Sequence, residues 1–234
     1  MAVVSNRYDD ALVLSLDVGG SVDHSALALI RLKLEGPPSM PRAEHAVVMQ
    51  LERLPLKHAY AELVSYVSGI MTRLSQQVPA YKTFIFDATG VGRPLIESFT
   101  TYMPSNVKIV PAVIVGASGR AVSSASEYGI VSVGKREIVS TLMYLITSGR
   151  IRFARNLKAF GELIEEVRNF KLYITETGHA QMRGTQDDLL MALGLGAWWS
   201  AVAYGLGRAV EVLPVEEKRP RFITGARLRT ESDI

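Results

Sequence analysis

The 234-residue chain contains no cysteine, which excludes disulfides, thiolate zinc sites and cysteine nucleophiles and suits a reducing compartment. Histidine is scarce as well. His24, His45, His58 and His179 are the full set, and their spacing matches no metal-ligand pattern. No apolar run approaches the roughly 20 residues that a membrane span needs. The N-terminus lacks the basic-then-apolar order of a secretory signal. Strong charge of either sign is also missing: 26 Lys and Arg against 23 Asp and Glu leave a net charge of +3. That balance permits a polyanionic partner without requiring one. Together these absences predict a soluble protein of the cytoplasm, with no membrane partner. What remains is 48% hydrophobic and 21% charged, a globular composition on a chain long enough to bury a full core. There is no internal repeat and no linker before Gly207, so one domain is expected, followed by a basic, flexible tail from Gly207 to Ile234.

The stretch ALVLSLDVGGS, Ala11 to Ser21, organises the rest. Val13, Leu14 and Leu16, bounded by Asp9–Asp10 and Gly19–Gly20, read as a buried strand. Asp17 stands at its carboxyl end, where open α/β sheets place ligands. A carboxylate there needs a partner or a role, because an unpaired buried charge is costly. Ser25 to Leu34 predicts a second strand, joined by so short a turn that the pair should be antiparallel. Ala43 to Leu54 predicts a third. Leu63, Val67, Ile70, Met71 and Leu74 recur at helical spacing between His58 and Val78, and Pro79 closes that helix. Thr83 to Ala88 (TFIFDA) repeats the opening design, an apolar strand ending in Asp87.

Arg93 to Tyr102 reads as a helix, and Val107 to Val115 as a strand in which Pro111 argues for an edge or a bulge. Gly116 to Gly134 reads as a flexible loop carrying a small hairpin, flanked by Arg120 and Lys135 and expected to regulate access to the site beside it. Lys135 to Ser148 predicts a helix, Ile151 to Phe153 a short extended piece, and Asn156 to Arg168 a helix capped by Asn156. A strand-like Phe170 to Thr175 and a polar loop from Glu176 to Thr185 lead to the last helix, Gln186 to Leu206. Trp198 and Trp199, deep in that helix, are expected in the core.

The last helix opens Gln186-Asp187-Asp188. Residues three and four apart share a helix face, so Asp188 falls in line with Ala192, Gly196 and Ser200. This ridge of small residues permits close approach to a sheet. Asp187 is expected about 100° away from it. Asp188 is therefore the better candidate to meet Asp17 and Asp87, and three such carboxylates make a hard-oxygen pocket for Mg²⁺ or Mn²⁺. Each acid also has a plainer reading, as a turn former after a strand or as capping and dipole compensation at a helix start.

The ordered set LDVGGSVDHSALALI, FDATGVGRPLIE, VGKREIVSTL with GRIRF, and QDDLLMALGLGAWW resembles the nuclease domain of tailed-phage large terminases, within the RNase H-like superfamily. The resemblance runs from about Leu12 to Leu206. It implies a three-layer α/β fold with a mixed sheet of five or more strands, order 3-2-1-4-5 with strand 2 antiparallel, occupying residues 1–206. It also implies a DNA endonuclease of viral genome packaging that hydrolyses phosphodiester bonds with two Mg²⁺ or Mn²⁺ ions. Asp17, Asp87 and Asp188 would be catalytic, with Asp23 and Asp187 as further metal ligands. Double-stranded DNA is the implied partner, with a terminase motor, small subunit or portal beside it, in the host cytoplasm. Gln186 stands where a His often precedes the acid pair, which weakens any His helper. Only about ten residues precede the first strand, so no ATPase motor is expected within these 234 residues.

Gly129 to Arg136 (GIVSVGKR) is one residue short of a phosphate-binding loop, with Arg136 where a metal-binding hydroxyl belongs. No nucleotide cofactor is expected, and Lys135 is expected to start a helix or reach toward DNA. Lys135, Arg136, Arg120, Arg150 and Arg152 are the candidate DNA contacts. Two other readings stand beside the nuclease. One is an actin- or sugar-kinase-fold phosphotransferase, with the Asp17 and Asp87 turns as phosphate loops. The other is a non-catalytic DNA-binding module of the same fold.

Overall fold

Side-chain alternation decides the layers. A computed structural model describes residues 8–20, 22–37, 40–56, 59–115, 129–174, 180–183 and 186–207. In it the opening apolar run is strand β1, Asp10–Asp17. Successive side chains of a strand point to opposite faces. In β1, Ala11 and Val13 join one buried cluster while Leu12, Leu14 and Leu16 join another. A strand apolar on both sides needs cover on both sides, and helices supply it.

Strand β2 (Ala26–Glu35) returns antiparallel on β1, and β3 (Arg42–Arg53) antiparallel on β2. Helix α1 (Tyr60–Gln77) then crosses to β4 (Tyr81–Asp87), which lies parallel beside β1. Helix α2 (Leu95–Tyr102) leads to β5 (Val107–Val115), parallel to β4. This is the expected 3-2-1-4-5 core with its second strand antiparallel. It is extended at both edges, by β6 (Val131–Gly134) on β5 and β7 (Ile151–Phe153) on β3, both parallel. The result is a seven-stranded sheet in the order β6-β5-β4-β1-β2-β3-β7. Helix α3 (Lys135–Thr147) joins β6 to β7. After β7 come α4 (Phe160–Asn169), a separate pair β8 (Lys171–Ile174) and β9 (Ala180–Arg183), and α5 (Asp188–Tyr204).

One face of the sheet is covered by α1 and α2 through Leu63, Val67, Met71 and Phe99, packed on Phe84 and Phe86. The other face is covered by α3, α4 and α5 through Ile138, Leu142, Leu163 and the apolar body of α5. Every residue of α5 from Leu189 to Ser200 is buried, as in a helix that is apolar all round. The expected small ridge approaches the sheet at Gly196, where a Cβ would lie 2.5 Å from Ser15 Oγ of β1. Off that ridge, a Cβ on Gly194 would lie 2.6 Å from Ile138 Cγ2 of α3. Trp198 and Trp199 are core residues, as expected.

Four local expectations are corrected. Pro111 is not on an edge strand, because β6 pairs with β5; that pairing begins at Ala112, so the missing N–H falls one residue outside it. Residues Val131 to Gly134 are not half of a hairpin but a parallel strand of the main sheet, while residues 116–128 lie outside the described ones. Asn156 does not cap α4, which starts four residues later behind Ala159. Ala180 to Arg183, read as loop, pairs with β8; four residues of mixed polarity are too short to show a period. The tail from 208 onward lies outside the described residues.

Candidate active site

Strands β1 and β4 run side by side in parallel register, with Leu16 beside Phe86. Their last residues, Asp17 and Asp87, therefore stand on neighbouring strand ends, strands being about 4.8 Å apart. Leu16 and Phe86 belong to the α1/α2 cluster, so the two-residue period turns both carboxylates to the opposite face, where α3 and α5 begin.

Glycine makes the turns at both strand ends possible. A Cβ on Gly92 would fall 2.0 Å from the Asp87 carbonyl oxygen, and one on Gly19 would fall 2.4 Å from that of Asp23. After β4, Asp87 Oδ1 accepts the Thr89 N–H at 2.8 Å, and Thr89 Oγ1 accepts the Ile114 N–H at 2.8 Å. After β1, the Gly19 N–H donates to Ser25 Oγ at 3.0 Å. This turn leaves Asp23 exposed, and Asp23 is not among the charges that shift Asp17, Asp87 or Asp188. His24 lies closer in. Its Nδ1 is 2.7 Å from the Leu54 carbonyl oxygen, and its charge acts on Asp188.

The start of α5 brings the acid pair. Asp187 has φ −141° and ψ 19°, outside helical values, and makes no side-chain capping bond. The 100° separation expected from helical periodicity therefore does not govern it. Its Oδ2 is 2.5 Å from Lys135 Nζ at the start of α3. Asp188 Oδ2 lies 3.6 Å from Arg53 Nε at the end of β3. Two cations thus flank the pair, one on each acid.

Charge couples these groups. Asp17 titrates well above the usual carboxylate range, chiefly because it has lost hydration, then because Asp87, Asp188 and Asp187 oppose its ionisation; Lys135 acts the other way. Lost hydration also raises Asp87, against the hydrogen bonds from Thr89 and the charge of Lys135. Asp188 is pushed up to about 6, first by lost hydration and then by Glu166, with Arg53 opposing. Among the described residues, no group of three or more His, Cys, Asp or Glu side chains is drawn close enough to hold a metal ion. The donor set itself fits one. All its members are hard carboxylate oxygens, and the crowding that raises Asp17 is what a divalent cation relieves.

The basic candidates separate. Lys135 is at the acids, and Arg136 beside it is exposed. Arg150 and Arg152 are exposed at the β7 edge, with Arg150 Nη1 donating to the Glu44 carbonyl oxygen at 3.2 Å. Arg120 lies outside the described residues, as does the loop expected to regulate access. Residues 131–134 of the near-match to a phosphate loop are paired strand rather than a cradle of backbone N–H groups. A groove of about 820 Å³ between β3 and the approach to α4, lined by His24, Gln50, Arg53, Asn156 and Lys158 among others, opens next to Arg53. Sequence reading missed Arg53 and Glu166. The available signal was Glu166 three residues after Leu163, on the buried stripe of α4.

The fold that carries this site is that of the RNase H-like nucleases. Among solved structures it is similar to the large terminase nuclease of thermophilic phage G20c, at 21% identity over 81% of this chain and 82% of that one, TM-score 0.51. That nuclease is also known with bound magnesium. The nuclease domain of the large terminase subunit of bacterial virus Sf6, with manganese and β-thujaplicinol, matches at 14% identity, covering 82% of this chain and 89% of that one, TM-score 0.54. The human cytomegalovirus terminase nuclease domain, Mn-soaked and inhibitor-bound, matches at 12% identity over 83% and 85%, TM-score 0.50. No protein-family model matches the sequence, and no curated protein does. The chain has the fold of a large-terminase nuclease domain.

Proposed function

We propose that this chain is a metal-dependent DNA endonuclease of the large-terminase type, cutting concatemeric DNA during viral genome packaging. The observation that carries it is the placement of Asp17 and Asp87 on adjacent strand ends and one face, with Asp188 and Asp187 near enough to oppose the ionisation of Asp17. Asp17, Asp87 and Asp188 would hold two Mg²⁺ or Mn²⁺ ions, with Asp187 and Asp23 as auxiliaries. Bound there, the ions supply an activated water and neutralise charge on the leaving oxygen.

The chain's own residues do the rest. Thr89 fixes the Asp87 carboxylate through its N–H, so this acid is oriented before any substrate arrives. Lys135 balances Asp187 and lowers the charge density felt by Asp17 and Asp87. Beside an incoming phosphodiester, Lys135 and Arg136 favour the backbone by charge. Arg150 and Arg152 would extend that attraction along double-stranded DNA, and Arg120, outside the described residues, is a further candidate contact on its charge alone. Backbone contact of this kind carries little sequence preference and falls steeply with salt. A terminase motor, small subunit or portal would be the protein partner, residues 1–206 the nuclease unit, and host cytoplasm the setting. No helix among the described residues is long and apolar enough to cross a membrane.

The test is incubation of supercoiled plasmid with and without Mn²⁺, using wild type and Asp17→Asn. Nicking that needs Mn²⁺ and disappears in the variant is expected. Metal-independent cutting, or equal cutting by the variant, refutes the reading. Plasmid binding without cutting by the wild type selects the non-catalytic module instead.

A further inference from the structure

The acid pair at the start of α5 has a conflict of duties. The first N–H groups of a helix have no partner within it. An Asp at the N-cap ordinarily accepts the N–H of the second or third helical residue, and a carboxylate occupied that way is less available to a metal. Asp187 is the N-cap of α5 and makes no such bond. The N–H groups it would have served are those of Leu189 and Leu190, both buried.

Glu166 of α4 serves them. Its Oε1 accepts the Leu189 N–H at 3.3 Å, and its Oε2 accepts the Leu190 N–H at 2.8 Å. A Glu that is only 4% exposed is rare without a partner of opposite charge, and Glu166 has one, because Arg53 Nη2 donates to its Oε1. Arg53 Nη1 donates to Glu162 at 2.6 Å, so the guanidinium is held by two carboxylates of α4. Its remaining group, Nε, is buried without a hydrogen-bond acceptor among the described residues, 3.6 Å from Asp188 Oδ2. The arginine therefore attracts Asp188 without locking it.

We propose that Glu166, oriented by Arg53, is a positioning residue that caps α5 from another helix and so leaves Asp187 and Asp188 uncommitted to capping and set toward the metal site. This inference rests on the nuclease reading and deepens it. Glu166 touches neither substrate nor metal; it acts through the first turn of α5. Glu162, which shares Arg53 but makes no bond to α5 among the described residues, is the internal control.

The test compares wild type, Glu166→Gln, Arg53→Lys and Glu162→Gln in the full chain. Three readings are taken: amide hydrogen exchange at Leu189 and Leu190, Mn²⁺ affinity by calorimetry, and kcat and KM for plasmid cleavage. In Glu166→Gln we expect faster exchange at both amides and Mn²⁺ affinity weaker by about 10- to 100-fold, the scale for losing a group that orients metal ligands. We expect kcat to fall while KM for DNA holds. Arg53→Lys, which keeps the charge but loses the fork, should show the same pattern more weakly, and it serves if Glu166→Gln does not fold. Glu162→Gln should leave Mn²⁺ affinity unchanged. Wild-type Mn²⁺ affinity in both Glu166→Gln and Arg53→Lys overturns the inference and leaves the nuclease reading intact. A wild-type chain that neither binds Mn²⁺ nor cuts overturns the nuclease reading itself, whatever the exchange rates show.

Discussion

The two faces of the central sheet solve different problems with the same strands. Toward α1 and α2, Phe84, Phe86 and Phe99 form a cluster with ring centroids 4.7–5.2 Å apart, and buried Lys82, two residues before Phe84 on the same side of β4, donates to the Ala80 carbonyl oxygen at 2.8 Å. Toward α3, α4 and α5 the same strands present Ser15, Asp17 and Asp87, and the covering helices contribute Glu166, Asp187, Asp188 and Lys135. One face is held chiefly by apolar burial. The other carries charge at its strand ends, and charge there is tolerated only where it is paired, partly solvated or protonated. The aromatic face therefore sets stability, and the acidic face sets chemistry at some expense of stability.

The sharpest way to break this division is at Asp17. Asp17→Asn should reduce Mn²⁺-dependent plasmid cleavage by about 10²–10³-fold or more, on the scale of removing one group that stabilises the transition state. Metal-free thermal stability should rise, because a carboxylate raised by burial and by like charges is replaced with a neutral amide. Nuclease assays beside thermal melts check both halves; a stability loss without an activity loss would reverse the assignment of the two faces.

Phe99→Ala is the matching lesion on the aromatic face. It should destabilise the fold by about 3–5 kcal/mol, with cleavage per folded molecule unchanged, as read by chemical denaturation and by activity normalised to the folded fraction. Gly196→Ala probes the contact between α5 and the acidic face. Its Cβ would lie 2.5 Å from Ser15 Oγ and 3.0 Å from Ile30 Cδ1, so α5 must shift, at about 1–3 kcal/mol. Because α5 carries Asp188, cleavage should fall as well, unlike in Phe99→Ala.

The smallest effect is in pH. The folded-state pKa of Asp188 is raised to about 6, chiefly by lost hydration, so the folded state binds this proton more tightly than the unfolded chain. Its contribution to stability is full below the ordinary carboxylate value and is lost as pH rises through about 6. Metal-free melts should therefore show higher stability at pH 5 than at pH 7 from this group. The difference should shrink in Asp188→Asn, and also when Mn²⁺ is added. An Asp188→Asn profile as steep as wild type would remove Asp188 as its source.

Much of this was legible in local pattern. ALVLSLD and TFIFD each read as an apolar strand ending in an acid, and they became β1 and β4 with Asp17 and Asp87 at their ends. The ridge Asp188, Ala192, Gly196, Ser200 read as a close-packing surface, and Gly196 does meet Ser15. The short elements were not legible. Pro111 could not reveal that β6 begins its pairing one residue later, nor could Ala180–Arg183 reveal its partner, since a strand of four residues takes its identity from the neighbour it pairs with.

What the sequence by itself determined is therefore whatever depends on neighbours along the chain: the strand periods, the helix faces, and the acids at the ends of elements. Only the tertiary structure decided how those acids are kept free. Glu166 and Arg53 are 113 residues apart, and Lys135 and Asp187 are 52 apart. No local period records such pairs. They exist because α3, α4 and α5 pack on one face of the sheet, where a buried N–H or carboxylate must find its partner across space rather than along the chain.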